Sequence, residues 1–263
     1  MSYKDIIKPI EFDYSLKYQD KIFRTNEGYD IKIIKYHSYN DVDIQFLYNG
    51  AIVEHVRVGS ILDGRVKNPF RRKKNGGYMG IGPYDDSTSR IYGVWDKMLN
   101  RLMKDFQESN RKVSSYSNCT VCEEWYNYQN FAFWYDNYIK GLNQNLYYDY
   151  EIDKDILQQG KDHKIYSPTT CCLVPHDINV ALVDTSVDNG LPTGVFTRGN
   201  KFGSMVNLNG ERVYLGLYDT PEEAFKVYKE RKEKHIKDLA KYYYSINAIY
   251  KDIFDILMNY EVK

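Results

Sequence analysis

Acidic side chains cluster where a predicted strand ends, near the middle of the chain. Residues 148–152 are predicted to form this strand, and Asp153 and Asp155 follow it on either side of Lys154. Carboxylates that leave a strand together could hold a divalent cation, because hard cations prefer oxygen ligands. A short second strand (171–174) and a helix beginning near Pro175 come next. The stretch 147–179 is therefore the first candidate for a catalytic centre.

Cysteines offer a second kind of chemistry. Cys119 and Cys122 form a Cys-x-x-Cys pair, which is half of a zinc site, and Cys171 and Cys172 could supply the other half. Adjacent cysteines chelate one tetrahedral ion awkwardly, however, and the flanking residues lack the glycines of a zinc ribbon. We therefore expect buried free thiols rather than structural zinc.

Composition favours a packed protein without a global electrostatic bias. Hydrophobic residues make up 43% of the chain and the formal net charge is +0, so any attraction to nucleic acid must come from a local basic surface. No apolar run reaches the roughly 18–20 residues of a membrane span. Residues 1–12 lack the apolar region of a signal peptide. We expect no membrane partner, a cytoplasmic location and reduced cysteines.

Hydrophobic periodicity predicts an α+β fold with three domains. Residues 1–70 contain short strands and an Asn49-Gly50 hairpin signal, which favour a small β-barrel-like unit or a curled sheet. Residues 71–188 form a helical block, in which one amphipathic helix is predicted over 123–140, followed by the acidic core. A polar joint over 184–192 leads into the third domain, residues 189–263, which contains three strands, a helix capped by Asp219 or Thr220, and a helical tail. The apolar face of the tail would dock either on the body or on a second copy, as a homodimer.

Basic residues are concentrated in the segment 65–77, which includes Arg71 and Arg72. Lys and Arg near phosphates release counterions, so this segment could follow a nucleic-acid backbone. It would equally serve as a solvated linker, and the two interpretations stay open. We expect His37 and His55, in the first domain, to lack metal-ligand neighbours and to be structural or merely exposed.

The segment 194–240 resembles the AP2/ERF-type DNA-binding domain of plant transcription factors and phage homing endonucleases. The resemblance is carried by Gly194-Val195, Arg198, the strand 204–207, the run 212–216 and the run 218–224. That family lays a three-stranded sheet in the major groove, which implies double-stranded DNA as the partner. Strand alternation agrees, because Met205 and Asn207 should point away from a helix that Val206 and Leu208 face. The implied DNA-facing residues are Phe196, Arg198, Met205, Asn207, Arg212 and Tyr214, and Lys201 is a further candidate.

The stretch 166–179 is similar to the second strand and helix start of the HNH (His-Me finger, ββα-metal) endonuclease core, and 152–155 aligns with its Asp-His pair. The resemblance implies cleavage of a phosphodiester with Mg²⁺ or Mn²⁺, held by Asp153, Asp155 and Asn179. Lys154 stands where the family has its general-base histidine, so His176 and His163 are substitutes. The catalytic candidates are Asp153, Lys154, Asp155 and His176.

Three functions follow from these patterns. The layout resembles phage homing-endonuclease-like proteins over nearly its full length, which implies a DNA endonuclease acting in the host cytoplasm. The alternative is a DNA-binding regulator or inhibitor whose nuclease core is degenerate. A third hypothesis is a structural or interaction protein without a nucleic-acid role.

Overall fold

The computed structural model describes residues 13–104, 116, 118–183 and 190–262. The fold is α+β, as predicted, and it divides into two compact units. Unit 1 runs to Arg71 and includes Tyr78–Gly82, and unit 2 comprises Arg72–Gly77 and the chain from Pro83 onward. Residues 1–12, for which the sequence predicts no signal peptide, lie outside the described residues. So does most of the predicted joint over 184–192.

Unit 1 is an open antiparallel sheet with strand order β1-β2-β3-β4. The predicted barrel-like closure is wrong for the described residues, because β1 and β4 are opposite edges of this sheet. Two short helices cover the apolar face of the sheet in place of barrel closure, because Tyr18, Val58 and Ile61 join the sheet residues in one buried core. The elements are α1 (Tyr14–Tyr18), β1 (Ile22–Arg24), β2 (Asp30–Ser38), β3 (Asp41–Phe46), β4 (Ile52–Val56) and α2 (Val58–Leu62).

The first part of unit 2 combines helices with two small sheets. Strands β5 and β7 pair in parallel, and β6 and β8 pair antiparallel, with Asp153 opposite Cys172. The single helix predicted over 123–140 is interrupted, because Asn127 adopts an extended backbone and accepts the Gln129 N–H as an N-cap. The elements are α3 (Arg90–Arg101), β5 (Cys119–Val121), α4 (Tyr128–Lys140), β6 (Tyr150–Asp153), β7 (Lys164–Tyr166), β8 (Cys172–Pro175) and α5 (His176–Ala181).

The second part of unit 2 is a three-stranded antiparallel sheet on a long helix, as predicted. The hairpin turn falls at Asn209 and Gly210, which both have positive φ. Thr220 caps the helix by accepting the Glu223 N–H at 3.2 Å, and Pro221 takes the first helical position. The elements are β9 (Val195–Arg198), β10 (Lys201–Leu208), β11 (Glu211–Tyr218), α6 (Pro221–Ser245) and α7 (Lys251–Met258), with sheet order β11-β10-β9.

The helical tail packs on its own unit. Ile253 and Leu257 of α7 are buried in one cluster with Val174 of β8 and Ile178 of α5. The tail thereby fixes β8 and α5, which carry several of the predicted site residues. No helix among the described residues is long and apolar enough to cross a membrane.

Candidate nucleic-acid interface and candidate active site

The two faces of the β9–β11 sheet differ in chemistry. Val206 and Leu208 of β10 are buried with Tyr228 of α6, and Val213 packs against the same cluster. Alternation then turns Met205 and Asn207 away from the helix. The prediction that Val206 and Leu208 face the helix is thus confirmed, and the opposite face is left to polar and aromatic side chains.

Strand register joins the predicted DNA-facing residues in pairs across the sheet. Neighbouring strands place Asn207 opposite Arg212 and Met205 opposite Tyr214. Directly paired residues share one face of a sheet, so these side chains form one patch. Four pairs span the three strands: Arg198 with Lys201, Phe196 with Gly203, Met205 with Tyr214, and Asn207 with Arg212. We call the seven residues other than Gly203 the outer face of the sheet.

Gly203, at the centre of the sheet, leaves space on the outer face for the ring of Phe196. A Cβ at Gly203 would lie 2.3 Å from Cζ of Phe196, so the aromatic ring lies directly on the backbone of β10. Any larger residue at 203 would displace this ring. The ring is half-buried, and Tyr214 on the far strand is 50% exposed, so the outer face offers two aromatic surfaces beside its cations.

Charges on the outer face are not equivalent. Lys201 forms an ion pair with Asp219 at 3.0 Å, which partly neutralises it. Arg198 and Arg212 are exposed, and neither forms an ion pair with another described residue. These two guanidinium groups are therefore the cations most available to a polyanion on this face.

Three residues of the basic segment 65–77 form ion pairs with acidic side chains. Arg71 pairs with Glu27 at 2.8 Å within unit 1, and Arg72 pairs with Glu123 at 2.9 Å within unit 2. Neighbouring Lys73 donates to Asp96. Because Arg71, Arg72 and Lys73 each contact an acidic side chain, these three cations are less available to phosphates than the composition of the segment suggests. A DNA contact by Arg71 and Arg72 stays a prediction.

Asp153 has a structural contact at the end of β6. Its Oδ1 accepts the backbone N–H groups of Asp155 and Ile156, each at 2.7 Å. The side chain is buried, and burial raises the pKa of Asp153 above its ordinary value despite these two hydrogen bonds. Asp153 thereby shapes the turn that follows the strand.

Lys154 and Asp155 form an ion pair at the next turn. The Lys154 ammonium donates to both Asp155 carboxylate oxygens, at 3.0 and 2.9 Å, and Lys164 donates to the same carboxylate. Burial alone would lower the pKa of Lys154 and is the largest single effect, but the hydrogen bond to Asp155 and the charge of Asp155 act together against burial and raise the pKa. The ammonium is therefore protonated at neutral pH, and Lys154 offers no lone pair for general-base catalysis.

His176 and Asn179 meet at a residue that the sequence reasoning missed. Both lie on α5, one turn apart, and both contact Glu151 of β6: His176 Nδ1 is 2.8 Å from Oε1, and the Asn179 amide donates to Oε2. Glu151 lies two residues before Asp153 on the same strand, so alternation along β6 could have identified it. The three side chains are at least partly accessible to solvent.

The predicted Mg²⁺ or Mn²⁺ ligands have separate partners. Asp153 accepts backbone N–H groups, Asp155 is bound by two lysines, and Asn179 contacts Glu151. Among the described residues, no third imidazole, thiol or carboxylate joins Asp153 and Asp155 as a potential ligand group. Asp153, Asp155 and Asn179 therefore do not form a ready set of magnesium ligands.

Burial dominates the chemistry of the cysteines. Cys171 and Cys172 are buried and Cys119 and Cys122 are half-buried, all as free thiols. Burial raises the pKa of Cys171 to about 12 and that of Cys172 as well. Protonated thiols are poor metal ligands and poor nucleophiles.

The expectation that His37 and His55 lack ligand-type neighbours is wrong. His37 Nε2 lies 3.1 Å from an Asp43 carboxylate oxygen, and His55 Nδ1 lies 3.0 Å from an Asp41 oxygen. Strand pairing, rather than closeness along the sequence, brings these groups together. His163, the other predicted substitute base, contacts Thr120 instead.

No protein-family model, curated protein or solved structure matches this chain.

Proposed function

We propose that this chain binds double-stranded DNA through the outer face of the β9–β11 sheet. The observation that carries the proposal is the register of the sheet, which gathers Arg198, Asn207 and Arg212 on one face. A two- or three-stranded antiparallel ribbon fits the major groove. Arg and Asn are the side chains that most often form paired hydrogen bonds with guanine and adenine edges.

Local charge supports the same partner. The chain has no net charge, so affinity for a polyanion must arise where cations are not neutralised. Arg198 and Arg212 meet this condition on the outer face, whereas Lys201 forms an ion pair with Asp219. Tyr214 adds an exposed ring that can pack on sugars or thymine methyl groups.

A gel-shift experiment with the full chain and a mixed-sequence duplex tests this proposal. We expect Arg198→Ala with Arg212→Ala to weaken binding by at least about tenfold, because both remove groove or phosphate contacts. The matched control is Lys226→Ala with Lys241→Ala, which removes the same charge from exposed positions on α6. Absence of binding by the wild-type chain at low salt, or equal loss in both variants, would refute the proposal.

A second candidate function is hydrolysis of the bound DNA, and it rests on the contact between Glu151 and His176. With Glu151 accepting from Nδ1, the histidine presents Nε2 as the atom that can take a proton from water. A carboxylate that orients an imidazole in this way is a recurrent feature of general-base catalysis. Asn179 holds the second Glu151 oxygen, which keeps the carboxylate in place.

Nicking of supercoiled plasmid, with Mg²⁺ or Mn²⁺ in the buffer, separates the two candidates. A nuclease should lose activity in His176→Gln and keep it in His163→Gln, which changes an exposed histidine without a carboxylate partner among the described residues. Binding without nicking by the wild-type chain would select the regulator or inhibitor without nuclease activity. Either function would act in the cytoplasm, of the host if the chain is encoded by a phage.

The homodimer predicted through the tail has no support from the packing. Ile253 and Leu257 are buried within unit 2, so the apolar face of α7 is already covered. We therefore propose DNA alone as the partner.

A further inference from the structure

Asp43 is a buried carboxylate at the centre of the unit 1 sheet. Its relative exposure is 8%, and it lies on β3, with β2 on one side and β4 on the other. A carboxylate in this position must be compensated, because an isolated buried charge is strongly unfavourable. The compensation comes from the His37 imidazole on β2 and from the backbone N–H of His55 on β4.

β-Bulges bring both histidines to this point. The register of β2 against β3 skips His37, since Tyr36 pairs with Val42 and Ser38 pairs with Asp41. The register of β4 against β3 shifts at the same level, and His55 lies within that irregularity. Bulges redirect side chains and are frequent beside functional sites.

The local geometry around His55 is costly. Its φ is +59°, a left-handed conformation that a histidine adopts at an energetic penalty. Its N–H lies 3.4 Å from Asp43 Oδ1, and its Nδ1 lies 3.0 Å from Asp41 Oδ1. The His55 backbone thus contacts one carboxylate, Asp43, and its imidazole contacts a second, Asp41.

The four side chains have the composition of a metal site. The ligand atoms of His37, Asp41 and Asp43 all lie within 4.8 Å of one another. In a tetrahedral zinc site with bond lengths near 2 Å, ligand atoms are roughly 3.3 Å apart. Small rotations of these three side chains would therefore suffice to place their ligand atoms around one ion. Two carboxylates and two neutral imidazoles also match a divalent charge.

We propose that His37, Asp41 and Asp43 bind a divalent transition-metal ion such as Zn²⁺, and that the exposed His55 imidazole, which lies 3.0 Å from Asp41, rotates inward to become the fourth ligand. Imidazole and carboxylate together favour Zn²⁺ and its neighbours over Mg²⁺ or Ca²⁺, which prefer oxygen ligands alone. Such an ion would link β2, β3 and β4 at the bulged end of the sheet. This site lies wholly within unit 1 and is independent of the proposed function.

Equilibrium dialysis of the full, tag-free chain against low-micromolar Zn²⁺, with elemental analysis, tests the proposal. We expect one zinc ion per wild-type chain at this site. His37→Ala with His55→Ala should weaken its binding by at least about tenfold, the loss that even an outer-shell change can cause. The matched control, His163→Ala with His235→Ala, removes two histidines from unit 2 and should bind zinc as the wild type does.

Two further variants separate a loss of zinc binding from a loss of folding. Asp43→Asn preserves the shape of the ligand but removes its charge, and it should also weaken zinc binding. If either variant unfolds by circular dichroism, His55→Ala alone serves, because the His55 side chain is 77% exposed and its removal leaves the core intact. A wild-type chain that takes up no zinc, or folded variants at 37, 43 and 55 that retain wild-type affinity, would overturn the proposal.

Discussion

Asn207 and Arg212 lie directly opposite each other across the β10–β11 hairpin, on the face turned away from α6. One residue pair, Leu208 with Glu211, separates them from the Asn209-Gly210 turn, and the positive φ angles of that turn set the register. A shift of one strand by one residue would turn the side chains of that strand to the opposite face, and Asn207 and Arg212 would no longer share one face. The turn sequence therefore determines which chemistry the outer face presents.

Asn207→Ala should reduce discrimination between DNA sequences more than it reduces general affinity. Asn carries no charge, so it contributes to base recognition without releasing counterions. We expect a loss of about 1–3 kcal/mol in the preference for a selected duplex over a shuffled one. Competitive binding of the two duplexes measures this difference. Equal preference in Asn207→Ala and wild type would show that Asn207 does not contact bases.

Gly194→Ala should destabilise the sheet-and-helix part of unit 2. Gly194 has φ +78°, and a Cβ there would lie 2.1 Å from Cδ2 of Tyr228. The left-handed conformation costs about 1–2 kcal/mol and the clash roughly as much again, so we expect a loss of about 2–4 kcal/mol. Urea or thermal unfolding provides the measurement.

Gly199→Ala is the control for that substitution. Gly199 has φ +61°, but a Cβ there would meet no atom within 4 Å. Only the backbone cost of about 1 kcal/mol should remain. Equal destabilisation by the two substitutions would mean that Tyr228 does not press against position 194.

Asp155→Asn should destabilise unit 2 at neutral pH. The Lys154 side chain is 5% exposed, and the substitution leaves its ammonium beside Lys164 without an anion. Losing one partner of a fully buried pair costs about 3–5 kcal/mol. Because the Asp155 side chain is 45% exposed, we expect about 2 kcal/mol. Asp162→Asn makes the same change at an exposed position and should have little effect.

Acid should abolish the difference between wild type and Asp155→Asn. Burial alone would raise the pKa of Asp155, but hydrogen bonds from Lys164 and Lys154 lower it below its ordinary value of 3.8. A lowered pKa in the folded state means that the stabilisation is fully present above pH 3.8 and is lost as pH falls through the folded-state pKa. Unfolding free energies measured across this range should converge at the acidic end. A constant difference would contradict the ion pair.

The strands and helices of the sheet-and-helix part follow from local patterns. Alternation over 201–208, the Asn209-Gly210 turn and the cap at Thr220 are short-range signals, and each has its predicted structure. The spacing of the short strands predicts a barrel-like unit 1, whereas the described strands form an open sheet. Spacing does not say whether strands or helices cover the apolar face, and here Tyr18 and Val58 of two short helices cover it.

The candidate sites depend on contacts that are distant along the chain. Glu151 and Asn179 are 28 residues apart, and only the pairing of β6 with β8 brings the start of α5 to the strand. Asp153 and Asp155 are only two positions apart in sequence, yet their carboxylates have different partners. In unit 1, His37 reaches Asp43 because of a bulge, which hydrophobic alternation does not reveal.

The salt dependence of DNA binding tests the central claim most directly. Fluorescence anisotropy with a labelled duplex would give the slope of log affinity against log salt for the wild type, Arg198→Ala with Arg212→Ala, and Lys226→Ala with Lys241→Ala. Each phosphate contact contributes about 0.9 to this slope. If both arginines contact phosphates, the first variant should bind more weakly with a slope shallower by roughly 1.8, and the second should match the wild type. No binding by the wild type at the lowest salt, or unchanged affinity and slope in the first variant, would contradict DNA binding by the outer face of the sheet.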